Sequence, residues 1–137
     1  MTFVRAIDHF TIVTNRLADT TAFYTALGLE DGPRPDFGFG GAWLYVGERP
    51  ILHVVEKELM PEPRRGAIDH IAFASEGLTE AGARLAAAGI RYRLIRTPRP
   101  FTRWQMFFLD PNGVEVELDF DAAEAPPEHW KTGGVAE

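Results

Sequence analysis

The sequence predicts an α+β protein made of two tandem βαβββ modules. Three observations carry that prediction. Segments recur at a fixed offset of 61 residues, predicted strands alternate apolar and polar residues, and a glycine closes each predicted helix. Ala6-Ile7-Asp8-His9 returns as Ala67-Ile68-Asp69-His70. Leu17 returns as Leu78, Leu27-Gly28-Leu29 as Ala88-Gly89-Ile90, and Trp43 as Trp104, all in the same register.

The elements follow in order. Residues 6–14 alternate and are rich in β-branched and aromatic types, as a half-buried strand is. Leu17, Tyr24 and Leu27 then recur at helical spacing, and so do Leu78, Leu85 and Ala88. Gly28 and Gly89 sit where a helix end takes a left-handed residue. A short strand is expected after each helix. The remaining strands are expected at 42–47 and 50–56, then at 103–109 and 113–120, with Asp110-Pro111-Asn112-Gly113 as the turn between the last pair. The reading is one domain over 1–120, with module one at 5–57 and module two at 67–120. Residues 58–66 form a Pro- and Arg-containing linker. Residues 121–137, rich in Ala, Glu, Pro and Gly, read as an irregular tail or a partner-clasping extension.

Composition narrows the function classes. With 45% hydrophobic and 25% charged residues, the 137-residue chain can bury a core. A net charge of −6 argues against nucleic acid, whose phosphates need a cationic excess. No apolar run approaches the roughly 18–20 residues that span a bilayer. No secretory signal is visible, so the expected location is the cytoplasm. There is no cysteine, which leaves His, Asp, Glu and backbone oxygen as the available metal donors.

Strand alternation places those donors. Residues i and i+2 share a face of a strand. Phe10 and Ile12 are assigned to the helix side, and His9 to the other side with Ile7 and Thr11. Ile71 and Phe73 take the helix side and His70 the opposite one. Val114, Val116, Leu118 and Phe120 form an apolar stripe backed by Glu115, Glu117 and Asp119, and His53 alternates with Leu52 and Val54. His9 and His70 are equivalent under the repeat. Placing three extra residues in the Asp110–Gly113 turn makes His53 equivalent to Glu117. The expected metal ligands are therefore His9, His70 and Glu117, with His53 as a fourth ligand or an acid/base. Two His and one carboxylate suit Fe, Mn, Zn, Ni or Co as a single divalent ion. Glu115 and Asp119 are read as rim residues. Asp8 and Asp69 are expected to fix strand ends, and His129 is read as incidental.

These residues closely resemble the vicinal oxygen chelate superfamily, which includes glyoxalase, bleomycin-resistance proteins and extradiol dioxygenases. The carriers are Ile7-Asp8-His9, Ala22-Phe23-Tyr24, Leu27-Gly28-Leu29, Ile68-Asp69-His70-Ile71-Ala72-Phe73, and Asp110-Pro111-Asn112-Gly113 followed by Val116-Glu117-Leu118. The resemblance covers residues 5 to 120. It implies mixed sheets curled around a metal-binding cleft, with His9, His70 and Glu117 on the usual ligand positions. It places His53 where glyoxalase-like members carry a fourth ligand, often Glu or Gln. It implies a metal-dependent lyase or isomerase of glyoxalase type acting on a small substrate that chelates the metal through vicinal oxygens. Glu117 and His53 are then the expected catalytic groups. The alternatives are an extradiol-type dioxygenase using Fe(II) and a metal-free small-molecule binding protein.

Trp43, Tyr45, Arg103, Trp104 and Phe107 are the candidate substrate contacts. Arg96, Arg99 and Arg103 flank a Pro-rich loop, 97–101, suited to a carboxylate, phosphonate or thiol cofactor. Gly38-Phe39-Gly40-Gly41 approaches a strand and is no phosphate loop, because no helix is expected after it. A homodimer is expected, since open curled sheets leave edges to cover.

Overall fold

A computed structural model describes residues 3–130. Its contacts divide the chain into two units, Met1–Arg64 and Arg65–Glu137. The first holds β1 (Phe10–Thr14), α1 (Leu17–Ala26), β2 (Glu30–Gly32), β3 (Gly41–Val46) and β4 (Arg49–Glu56). The second holds β5 (Ile71–Ala74), α2 (Leu78–Ala87), β6 (Arg93–Arg96), β7 (Arg103–Leu109) and β8 (Glu115–Asp121). Each unit is one four-stranded mixed sheet, ordered β1-β4-β3-β2 in the first and β5-β8-β7-β6 in the second. The two tandem βαβββ modules are therefore present, with identical topology.

The helix ends show how closely the modules repeat. In α1 the Leu29 amide bonds the Tyr24 carbonyl and the Gly28 amide the Thr25 carbonyl. In α2 the Ile90 and Gly89 amides do the same to Leu85 and Ala86. Both are Schellman ends, and the residue that reverses the chain needs positive φ: 107° at Gly28 and 70° at Gly89.

Strand pairing fixes the internal equivalence and corrects two expectations. Thr11 pairs with His53 in the first sheet and Ala72 with Glu117 in the second, so His53 and Glu117 are equivalent. Gly32 pairs with Trp43, and Arg93 with Phe107. The offset is therefore 61 up to β2 and β6 and 64 from β3 and β7 onward. The three extra residues lie within the β6–β7 hairpin, between the paired positions Arg93 and Phe107, where they lengthen the strands. They are not in the Asp110–Gly113 turn, because Trp43 to His53 and Phe107 to Glu117 span the same length of chain. Trp43 corresponds to Phe107, and its match to Trp104 in the sequence is a coincidence of register.

The first strand begins at Phe10 rather than residue 6, so His9 and His70 each sit one residue before a strand. The last strand begins at Glu115 rather than 113, because Asp110 holds the turn by accepting the Asn112 and Val114 amides. Alternation within the strands is as expected. Ile12, Leu44, Leu52 and Val54 are buried with Tyr24 in the first unit. Ile71, Leu94, Met106, Phe108, Val116, Leu118 and Phe120 are buried with Leu78 and Leu85 in the second.

Residues 122–130 pack on their own unit. Glu124 accepts the Gly77 and Leu78 amides at the start of α2, where a carboxylate meets the positive end of the helix dipole. Trp130 sets its ring edge-on to Trp104 and donates to the Leu94 carbonyl. His129 approaches the Tyr92 hydroxyl at 3.4 Å. The expected tail is thus, over these residues, a strap on the helix side, and residues 131–137 lie outside the described residues.

Candidate metal half-sites

The candidate ligands come as two pairs, one in each unit, at equivalent register. In the second unit His70 Nε2 lies 3.2 Å from Glu117 Oε1. His70 Nδ1 donates to Asp69 at 2.8 Å. That bond fixes the tautomer and leaves Nε2 as the free donor atom. Glu117 is buried, and Gln105 donates to its Oε2 at 3.3 Å. Burial and the neighbouring Asp119 outweigh the pull of His70 and raise the Glu117 pKa to about 7. The bond to Asp69 and the carboxylates around it raise the His70 pKa. The pair therefore holds a proton more tightly than either group alone.

In the first unit His9 Nδ1 bonds Asp8 at 2.6 Å, repeating the Asp69–His70 pair. The His9 ring stacks on His53 at 3.7 Å, and His53 stacks on Trp43 at 4.0 Å. His53 Nε2 lies 3.1 Å from the Pro50 carbonyl. A carbonyl only accepts, so Nε2 carries the proton and Nδ1 keeps the lone pair. Desolvation and the adjacent His9 lower the His53 pKa, so its imidazole is neutral at pH 7. Rings stacked with centroids 3.7 Å apart keep their lone pairs in separate, nearly parallel planes. In this arrangement His53 and His9 meet a common ion only after one ring turns.

The other expected site residues divide. Phe107 faces His70 edge-on, with ring centroids 5.8 Å apart, on the Glu117 side of β7. Arg103 is on that side too, with Nε 3.8 Å from Asp119 Oδ1. Tyr45 is half-buried against β2 and donates its hydroxyl to the Pro33 carbonyl. Trp104 is a correction. Its neighbours in the stripe are Met106 and Phe108, it is 3% exposed, and its indole donates to the Glu124 carbonyl. It belongs to the helix-side core, opposite Glu117. Arg96 lies over the Trp104 ring and donates to the Ala122 carbonyl, so it too serves the strap.

Several contributors were missed from the sequence. Asp8 and Asp69 orient the histidines rather than simply fixing strand ends. Arg65, read as linker, bridges Asp69 and Glu115. The adjacent Asp-His in both copies was the available signal for the orienting pairs, and nothing local marked Arg65.

The donor set suits a divalent ion. Glu117 is a buried carboxylate beside His70, and Asp119 Oδ1 is buried without a hydrogen-bond partner among the described residues. Among the described residues no three His, Asp or Glu side chains converge on one point. Each unit by itself holds only two candidates.

Comparison with known proteins agrees with the topology. A glyoxalase family protein from Enterococcus faecalis shares 26% identity at a TM-score of 0.65, over 86% of this chain and 99% of that one. A protein assigned to the glyoxalase family from Bacillus anthracis shares 22% identity at a TM-score of 0.68, over 87% and 97%. A Salmonella typhimurium protein described as a virulence protein shares 19% identity at 0.64, over 86% and 98%. No curated protein matches the chain. The model of the Glyoxalase/Bleomycin resistance protein/Dioxygenase superfamily matches residues 6–118, and the chain belongs to that superfamily.

Proposed function

We propose that the protein is a metal-dependent enzyme of glyoxalase type, moving a proton next to a carbonyl in a small substrate that chelates one divalent ion through vicinal oxygens. One observation carries the reading: the buried Glu117 carboxyl, with its pKa raised to about 7, held by His70 on one oxygen and Gln105 on the other. A carboxylate tuned to the working pH is suited to take a proton from carbon and return it. His9, His70 and Glu117 are the proposed ligands, with Fe, Mn, Zn, Ni or Co as the ion. Such an ion, when bound, polarises chelating oxygens as a Lewis acid. Asp8 and Asp69 keep Nε2 of each histidine available. Gln105 holds the Glu117 oxygen that His70 does not touch. A cytoplasmic homodimer is the proposed setting. No helix among the described residues is long and apolar enough to cross a membrane.

A second reading has its own support. His53 is neutral and keeps one lone pair on Nδ1. An acid/base of that kind is what extradiol ring cleavage by an Fe(II) enzyme asks of a side chain.

The deciding experiment loads the protein anaerobically with each metal. Exchange of the C–H next to a carbonyl is then followed by NMR in D2O with a panel of α-hydroxy carbonyl compounds. In parallel, oxygen uptake is followed with catechols. Metal-dependent exchange without oxygen uptake supports proton transfer. Uptake with the iron form alone moves the assignment to the dioxygenase. A protein that retains no metal and catalyses neither reaction is a binding protein.

A further inference from the structure

The second unit carries a cleft of about 680 Å³, in the range that holds small organic ligands. Its wall includes Arg65, Arg91, Arg93, Tyr92, Phe107 and Glu115. Three arginines face one carboxylate there, in a chain whose net charge is −6. Arg65 is spoken for, since it bridges Asp69 and Glu115. Arg93 is different. Its guanidinium lies 4.9 Å from the centre of the Phe107 ring, and among the described residues it meets no carboxylate. Stacking on an aromatic face holds the planar fork in place while its N–H groups stay open.

Phe107 ties this cleft to the ligand pair. One face of its surroundings is Arg93, and its ring also meets His70, which bonds Glu117. Phe107 and Leu109 make the cleft wall apolar between the cations. We propose that this cleft is an anion subsite for the substrate. It takes a carboxylate or similar planar monoanion on Arg93, with the apolar body of the ligand against Phe107 and Leu109. The inference rests on the reading of His70 and Glu117 as part of the reaction centre, and adds that the substrate is an organic acid. Guanidinium–carboxylate pairing is bidentate, which suits an acid over an amide of the same shape.

The test uses the full chain, kept metal-free with a chelator, and a 19F NMR titration. The probes are 4-fluorobenzoate and its neutral isostere 4-fluorobenzamide. Wild type is compared with Arg93→Gln, Arg93→Lys and, as a control on the outer surface of α2, Arg84→Gln. The expected result is saturable binding of the acid, about tenfold or more tighter than the amide. Arg93→Gln should erase that preference, Arg93→Lys should keep part of it, and Arg84→Gln should leave it intact. Equal binding of acid and amide overturns the proposal, as does no saturable binding of the acid. An unchanged preference in Arg93→Gln, with the fold confirmed by circular dichroism, also overturns it. Metal retention is measured separately on chelator-free aliquots, loaded with a divalent ion and desalted. Retained metal without acid binding removes the subsite alone. Acid binding through Arg93 without retained metal keeps the anion site and removes the reaction-centre reading.

Discussion

Across from Thr11 the first module places His53, and across from Ala72 the second places Glu117. The backbone setting is the same, yet the chemistry differs. His53 lies flat between His9 and Trp43, neutral and stacked. Glu117 is buried against His70 and Asp119, and its neighbourhood holds protons tightly. One module thus carries neutral nitrogen and aromatic surface, and the other a tunable carboxylate beside a histidine. A duplicated scaffold fixed the positions, and divergence at one pair of positions separated the roles. Each Asp-His pair was left alike in both copies, which marks orientation of the histidines as the shared requirement.

The largest expected effect comes from Glu117→Gln, which keeps the shape and removes the charge. Activity should fall about 100- to 10,000-fold, as for loss of a general base, with metal retention lost as well. Glu115→Gln should do far less, because Glu115 pairs with Arg65. Equal losses in steady-state assays would mean that the two carboxylates share the work.

The aromatic pair sharpens the comparison next. Trp104→Ala empties the helix-side core and should cost about 3–5 kcal/mol in urea unfolding. Trp43→Ala leaves a half-exposed position and should cost much less, while freeing the His53 ring to turn. A larger loss at Trp43 would contradict the assignment of faces.

Asp8→Asn and Asp69→Asn should each weaken metal affinity about 10- to 100-fold in competition with a chelator, since each carboxylate fixes one histidine tautomer. If only one of the two matters, the modules are not equivalent in orienting their ligands.

The smallest effect is on the metal-free fold. The Glu117 pKa is about 7 in the folded chain and near 4.5 in the unfolded one. The folded state therefore holds the extra proton between those values, and stability falls as pH rises through that window, then levels above it. His70, also raised from its ordinary value of 6.5, acts in the same direction above that pH. Stability should fall by on the order of 2 kcal/mol across pH 5–7.5 in thermal melts, and by less in Glu117→Gln. An identical slope in the variant would place the titration elsewhere.

Much of this was legible in the sequence for definite reasons. Alternation exposed the faces of β4 and β8, because burial on one side leaves a period-two trace. Gly28 and Gly89 marked both helix ends, because only glycine takes those φ angles without strain. The equivalence of His53 and Glu117 was readable, but the location of the extra residues was not. A β-bulge at Leu44/Tyr45 lets two turns of unlike composition span equal lengths of chain. Trp104 misled because a matching offset says nothing about face once three residues are inserted. Arg65 and Arg93 carried no local signal; their roles come from ring and carboxylate partners remote in sequence.

The central proposal is that His9, His70 and Glu117 hold one divalent ion. It is tested most directly by metal analysis of the protein after loading with a divalent ion and desalting, in wild type, His9→Ala and His70→Ala. The account predicts one ion per chain in wild type and loss of that ion in both variants. Retention of the ion in either variant, or no stoichiometric ion in wild type, would contradict it.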